Sequence, residues 1–211
     1  MKKEPKKGFC LKSLFTFLVV VLLAVAVILI FFWQLNKFPE KVNPVTRDYR
    51  WQYKSQNYTF KEALYQSVEK YYRRKPKGIY SNFEEMSLSW YLNIPKEDKT
   101  ISDITQKMRE LATDHHLSSD QVADLVVSFV QSLPYDDARA KTDLTHPRYP
   151  YETLYEGKGI CSDKTLLTVA IFRQLGYGAA VFMYESDQHM TAAIECPRDY
   201  SNYNSGYCIA E

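Results

Sequence analysis

The 211-residue chain lacks most of the sequence features by which cofactor-binding and polyanion-binding proteins are recognised. Its seven glycines include no phosphate-binding loop of the standard kind. Of its four histidines, His115 and His116 are neighbours and cannot face one metal ion from the i, i+4 positions of a helix. No Cys-x-x-Cys pair is present, which argues against a redox role. The net charge is only +2, and the basic cluster at 73–77 is typical of a solvated helix end. We therefore expect no cofactor, no metal and no nucleic-acid partner.

Charge is also absent from a long segment near the N-terminus. Residues 13–33 are uncharged, and a helix of about 20 apolar residues crosses the roughly 30 Å of a bilayer core. Lysines precede this segment and Phe31-Phe32-Trp33 ends it, which predicts a cytoplasmic basic tail over residues 1–12 and a single transmembrane helix over residues 13–33. The rest of the chain would then lie outside the cell membrane. A cleaved signal peptide is the alternative because Ala24-Val25-Ala26 resembles a cleavage site, but the apolar run continues beyond it.

The middle of the chain predicts a linker followed by helices. Residues 34–58 contain prolines and show no hydrophobic period, which is typical of a stalk. Thr59 with Glu62 has the pattern of a helix capping box, so we expect a helix from Thr59 to Pro76. Two further helices are predicted from Ser102 to about residue 117 and from Ser118 or Ser119 to Leu133, the last with a continuous apolar stripe.

Cys161 lies where a glycine-containing loop meets an apolar helix. Gly157 and Gly159 allow a sharp turn that would place the thiol on the first helical turn. The free N–H groups and the dipole of the helix favour a thiolate at that position. A cysteine used only for packing would be expected on the apolar stripe between residues 166 and 175, and Cys161 precedes that stripe. Gly176 is a plausible C-terminal cap.

His189 is the candidate base for this thiol. It opens an apolar run that follows a strand-like segment, 178–184, and a polar turn, 185–188, so the start of a second strand would lie near the helix. Glu195 is on the same strand at about 20 Å and is too far to orient the imidazole. A hairpin centred on residue 200 would place Glu211, at the end of a short third strand, opposite His189. The alternatives are a structural histidine and an ordinary exposed terminal carboxylate.

The cysteines after the apolar segment leave one question open. A bond between Cys196 and Cys208 needs a hairpin centred on residue 202, which would move Glu211 away from His189. Both contacts can form only with a bulge, or if Cys196 lies in the loop.

Helices followed by a nucleophile helix and antiparallel strands indicate an α+β domain. Beyond this, the residues resemble the core of the transglutaminase-like superfamily, whose fold is related to papain-type cysteine peptidases. The resemblance covers about residues 100–211 and is closest to the prokaryotic membrane-anchored members. The matching residues are Tyr135 after Phe129-Val130-Gln131, Tyr149-Pro150-Tyr151-Glu152-Thr153-Leu154, Gly159-Ile160-Cys161-Ser162-Asp163, Leu175-Gly176-Tyr177 and His189.

The resemblance implies a domain over residues 59–211 in which the nucleophile helix packs on an antiparallel sheet. It also implies a triad of Cys161, His189 and Glu211. The Cys161 N–H would stabilise an oxyanion, with Gln131 or Tyr135 as the second donor, and Asp163 in the first turn would bond main-chain N–H groups. A core strand normally continues past its catalytic residue, so we expect the domain to be incomplete at its C-terminus.

The function expected from these features is that of a membrane-anchored, extracytoplasmic thiol enzyme with a protein or peptide substrate. It would act on amide bonds through a thioester on Cys161, and a peptidase or amidase is favoured over a cross-linking enzyme. The alternative is a non-catalytic module of the same fold that binds a ligand or the cell wall.

Overall fold

The computed structural model describes residues 11–77, 88–142, 146–184 and 186–211. The chain divides into two units, one up to Phe38 and one from Pro39 onward. Among its described residues, the first contains one helix, α1, Leu11–Asn36. The sequence predicted a transmembrane helix over residues 13–33, and the helix forms. Within the described part of the chain, however, no helix is found that is both long enough and apolar enough to cross a membrane.

The second unit begins with a β-hairpin where the sequence predicted a stalk and a helix. Strand β1, Pro44–Tyr53, pairs antiparallel with β2, Gln56–Tyr65. The turn between them consists of Lys54 and Ser55, both with positive φ, as expected for a two-residue hairpin loop. Alternate residues face inward, and the buried ones are Tyr49, Trp51, Tyr58, Phe60, Glu62 and Leu64. The predictions of a stalk over residues 34–58 and of a helix beginning at Thr59 are therefore wrong. Phe60 and Leu64 are four residues apart, a spacing that fits a helix as well as a strand. Tyr58 and Glu62 are also buried, and with them the buried residues follow the two-residue period of a strand.

Helices form most of the remaining core. They are α2 (Gln66–Arg73), α3 (Ser89–Leu92), α4 (Thr100–Asp114), α5 (Ser119–Ser132), α6 (Asp137–Ala140), α7 (Pro150–Glu156) and α8 (Cys161–Leu175). The predicted helices over α4 and α5 are confirmed, and Ser118 caps α5 in a capping box with Gln121. Helix α8 lies at the centre, contacts α4, α5 and α7, and is buried almost throughout from Ser162 to Phe172.

A three-stranded antiparallel sheet packs against α8. Its strands are β3 (Ala179–Tyr184), β4 (His189–Glu195) and β5 (Tyr207–Ile209), in the order β3-β4-β5. The predicted α+β class, with the helix of Cys161 packed on an antiparallel sheet, is confirmed for this unit. The helix is central because Leu166, Leu167 and Phe172 together face both the sheet and the other helices, which leaves none of them exposed.

The register of β4 and β5 differs from the prediction. Ala193 pairs with Ile209, and Ile194 pairs with Cys208, so the hairpin is centred on residue 201 rather than on residue 200. A disulfide joins Cys196 and Cys208. Because Cys196 donates its N–H to Gly206, the bridge runs diagonally across the hairpin instead of between directly opposite residues. No bulge is needed: β4 ends at Glu195, so Cys196 lies in the loop, which is the second of the two arrangements that the sequence allowed.

Candidate active site

Cys161 is the first residue of α8 and its thiol is free and half-buried. Helix α7 ends at Gly157, whose φ of +68° is a conformation that glycine adopts without strain. At Gly159 a Cβ would lie 2.9 Å from the Cβ of Asp163, so only glycine allows this close approach. Gly159 also forms a parallel β-bridge with Tyr135. The loop before Cys161 is therefore fixed by main-chain contacts on both sides, as the Gly-x-Cys pattern suggested.

Asp163 binds the start of α8 to the main chain and side chains next to it. It is fully buried, and its carboxylate accepts hydrogen bonds from the N–H of Ile160 at 3.1 Å and of Arg148 at 2.7 Å. It also pairs with the guanidinium of Arg139. The expected bonding of an acid in the first turn to main-chain N–H groups is thus observed. Asp163 consequently holds the segment before α7 against the start of α8 rather than facing the thiol.

A second buried carboxylate, Asp136, extends this ionic cluster. It contacts the ammonium of Lys158 at 3.0 Å and the guanidinium of Arg148 at 2.9 Å. Burial by itself would raise the pKa of Asp136, but the hydrogen bonds from Lys158 and Arg148 outweigh burial and lower it. The segment next to the thiol is therefore held largely by charge.

His189 and Glu211 are in contact. The distance from His189 Nε2 to Glu211 Oε1 is 2.9 Å, so the predicted contact is confirmed, although the register from which it was predicted is wrong. With the hairpin centred on residue 201, Glu211 lies opposite Thr191 and reaches His189 along the diagonal, a distance that long side chains span. Glu195 pairs with Tyr207 at the other end of β4.

Cys161, His189 and Glu211 line one cavity of about 210 Å³. Gln131 and Tyr135, the two candidates for the second oxyanion donor, line the same cavity. The hydrogen bond that the structure gives the thiol is to the main-chain oxygen of Gln188, at 4.0 Å. The predicted nucleophile, base and acid are thus brought together, and their catalytic roles remain predictions.

Tyr135 is close to the main chain of Cys161. Burial raises the pKa of Tyr135, the nearby Cys161 side chain raises it further, and the main chain of Cys161 partly opposes them. The phenol oxygen is therefore near the main chain of Cys161. To stabilise an oxyanion at that N–H, the hydroxyl of Tyr135 would have to donate its hydrogen.

The sequence reasoning missed two residues next to the site. Lys164 lines the cavity, and its ammonium donates to the main-chain oxygens of Gln131 at 3.3 Å and Leu133 at 2.5 Å. Burial lowers the pKa of Lys164. Its position three residues after Cys161 placed it on the same helix face, and that spacing could have identified it.

The other missed residue is Tyr184, which pairs with His189 across β3 and β4. Its ring is stacked with the imidazole at 6.3 Å between centroids. The hydroxyls of Tyr184 and Tyr203 are 3.4 Å apart, and chiefly through this contact the pKa of Tyr184 is raised to about 12. The equal distance of both residues from the turn at 186–187 is the signal that could have identified this pair.

Comparison with known proteins gives one family. Residues 99–201 match the family model described as a transglutaminase-like domain. No curated protein and no solved structure matches the chain. The matched range contains Cys161 and His189 and ends before Glu211. This match supports the transglutaminase-like superfamily for residues 99–201.

Proposed function

We propose that this domain is a thiol enzyme that cleaves amide bonds of a protein or peptide through a thioester on Cys161. The superfamily supports a cysteine-dependent enzyme in general terms. The observation that carries the finer proposal is the shared cavity, in which the thiol of Cys161 faces the same space as a His189 ring already bound to Glu211.

In the proposed reaction, His189 Nδ1 takes the proton of the thiol, because Nε2 is occupied by Glu211. The sulfur attacks the amide carbonyl, and the C–N bond breaks as His189 returns the proton to the leaving amine. Water then attacks the thioester with His189 as base, which releases the acid and the free thiol. Glu211 orients the ring and stabilises its charged form.

The oxyanion of each tetrahedral intermediate would be stabilised by the N–H of Cys161. Gln131 and Tyr135 are the candidates for a second donor, since both line the cavity. Either side chain would have to turn a hydrogen towards the oxyanion, the amide of Gln131 or the hydroxyl of Tyr135.

Hydrolysis and amine transfer differ only in the acceptor that attacks the thioester. We propose hydrolysis, so that the enzyme is a peptidase or amidase. We further propose that a single-pass anchor over residues 13–33 places the domain outside the cell membrane; this rests on the uncharged segment and the lysines before it.

One observation favours the alternative, a non-catalytic binding module. The thiol contacts the main-chain oxygen of Gln188 instead of the imidazole. In enzymes without substrate, catalytic hydrogen bonds are often long and shorten only in the complex, so we place this alternative second.

The test uses four variants, Cys161→Ala, His189→Ala, Glu211→Gln and, as matched control, Glu195→Gln on the same strand. Activity is measured by mass spectrometry on a library of peptide amides, with and without dansylcadaverine as amine acceptor. Cys161→Ala and His189→Ala should lose at least about 10³-fold, and Glu211→Gln about 10²-fold or more, whereas the control keeps wild-type activity. Hydrolysed products without dansyl label support a hydrolase.

The alternative would replace the proposal under two conditions together. Wild type would have to turn over no peptide, and iodoacetamide would have to alkylate Cys161 equally fast in wild type and in His189→Ala at mildly acidic pH. Equal rates would mean that the imidazole does not activate the thiol.

A further inference from the structure

The residues that line the cavity at Cys161 extend away from the thiol, and we call this part of the cavity the trough. They lie on α8 from Cys161 to Thr168, on α5 at Val127 and Val130, and on β4 from His189 to Ala192. Seven residues of helix rise about 10 Å, and three residues of strand extend about 10 Å. Helix α8 and strand β4 therefore give the same length for the trough.

Charge is confined to the mouth of this trough. The titratable residues among those that line it are Tyr135, Cys161, Lys164, His189 and Glu211. Lys164 is directed to the end of α5, because its ammonium donates to the oxygens of Gln131 and Leu133. A charged substrate side chain that entered the trough beyond its mouth would therefore have no charged protein group to pair with among the lining residues.

The far end is apolar. It is lined by Val127, Val130, Thr168, Ala192 and Ala210. The hydroxyl of Thr168 already donates to the main-chain oxygen of Lys164 at 2.9 Å, and that of Thr165, nearer the thiol, donates to that of Met190 at 2.8 Å. The hydroxyl of Thr191, which also lines the cavity, donates to the main-chain oxygen of Ala192 at 3.4 Å. The far end therefore offers no hydroxyl hydrogen for a polar guest, and burying an unpaired polar group there is unfavourable.

The volume of the cavity limits what it can hold to one substrate side chain. A cavity of about 210 Å³ equals the liquid volume of about seven water molecules. This is below the roughly 300 Å³ at which pockets begin to hold a whole small-molecule ligand. A branched or thioether side chain of four non-hydrogen atoms, on the residue whose carbonyl lies at Cys161, fits this volume and this length.

We infer that the trough is the subsite for an uncharged aliphatic side chain, of the size of leucine, isoleucine or methionine, on the residue whose carbonyl Cys161 attacks. This inference rests on the proposed function. It names the substrate class of the same site.

The test measures covalent labelling of Cys161 by three probes, the chloromethyl ketones of N-acetyl-leucine, N-acetyl-glycine and N-acetyl-glutamate. In each reaction the thiolate forms a C–S bond with the methylene carbon, the C–Cl bond breaks, and chloride leaves with the electron pair. Intact-protein mass spectrometry gives the rates, and Cys161→Ala shows that the label is on this residue. The leucine probe should react at least about 10-fold faster than the glycine and glutamate probes.

Val127→Phe fills the trough and should bring the ratio of the leucine rate to the glycine rate from at least about 10 to about 1. Val122→Phe is the matched control on the same helix, since Val122 is also half-buried but does not line the trough. Val127→Ile, which adds one methylene, should reduce the advantage partly and covers the case in which the larger side chain prevents folding.

Equal rates for the leucine and glycine probes would overturn the subsite and leave the proposed function intact. A fastest reaction with the glutamate probe would also overturn it, in favour of selection by Lys164. Labelling by none of the three in wild type would overturn the proposed function and the subsite with it.

Discussion

Removal of the disulfide should both destabilise the domain and release Glu211 from His189. The bond joins Cys196 to Cys208, twelve residues apart, and β5 pairs with β4 through only three residues. Glu211 follows Cys208 by three positions, and β5, the disulfide and the hydrogen bond from the N–H of Ala210 to the oxygen of Ala192 hold it on the sheet. The perturbation is the double variant Cys196→Ser/Cys208→Ser, made also in a Cys161→Ala background to exclude thiol exchange during the stability measurement.

The magnitude follows from loop closure. Cross-linking a loop of about 13 residues lowers the entropy of the unfolded chain by an amount worth about 3 kcal/mol at 25 °C. We expect the free energy of unfolding to fall by about 2–3 kcal/mol, because engineered and native bridges commonly contribute somewhat less than this limit. Urea unfolding followed by the fluorescence of the three tryptophans measures it.

The same variant without the Cys161→Ala change should label at Cys161 more slowly at mildly acidic pH, approaching the rate of Glu211→Gln. Reduction of wild-type protein should reproduce both effects. A stability change below about 0.5 kcal/mol together with an unchanged labelling rate would refute the reasoning, since neither the loop nor the position of Glu211 would then depend on the bridge.

Three further predictions concern the ionic cluster, the glycine loop and the first helix. The pKa of Asp136 is lowered in the folded state, so its contribution to the free energy of unfolding is complete above pH 3.8, the usual pKa of the group, and is lost as the pH falls below that value. When the free energy of unfolding is measured against pH, Asp136→Asn should therefore lose less stability below pH 3.8 than wild type does. Gly159→Ala should cost about 1–3 kcal/mol in urea unfolding, because the new Cβ meets the helical Asp163 at 2.9 Å and that residue has little freedom to move; a cost below about 0.5 kcal/mol would contradict this. A reporter that is active only in the cytoplasm, fused after Phe38, should be silent in cells, and a bright signal would exclude the proposed topology.

The elements nearest the site were predictable because their signals are local. A glycine pair, a polar first turn and an apolar stripe define α8, and the alternation of apolar runs with a short polar turn defines β3 and β4. The hairpin of β1 and β2 was missed because Phe60 and Leu64 satisfy the helical and the strand period at once. The neighbours of Tyr58 decide between the two, and these are Trp51 and Tyr53 on the paired strand and His115 after α4.

The contacts of the site were harder to predict than its residues. The acid was chosen by assuming directly opposite pairing, and the register of a hairpin depends on the structure of its loop, here two short 3₁₀ turns at 198–200 and 202–204 that the sequence does not announce. Lys164 and Tyr184 were missed because their significance comes from other elements: the end of α5 for Lys164 and the position of Tyr203 for Tyr184.

Two kinds of interaction stabilise this domain, because the segment around Arg139 and Arg148 is bound to buried carboxylates. Its core is held by apolar packing, which salt hardly affects, whereas this segment is held by ion pairs to Asp136 and Asp163. Partial opening of the contacts that Asp136 and Asp163 make with Arg139 and Arg148 therefore has its own dependence on pH and ionic strength, separate from that of global unfolding. Since Tyr135 and Gly159 adjoin that segment, conditions that loosen it would alter the surroundings of the thiol while the rest of the domain stays folded.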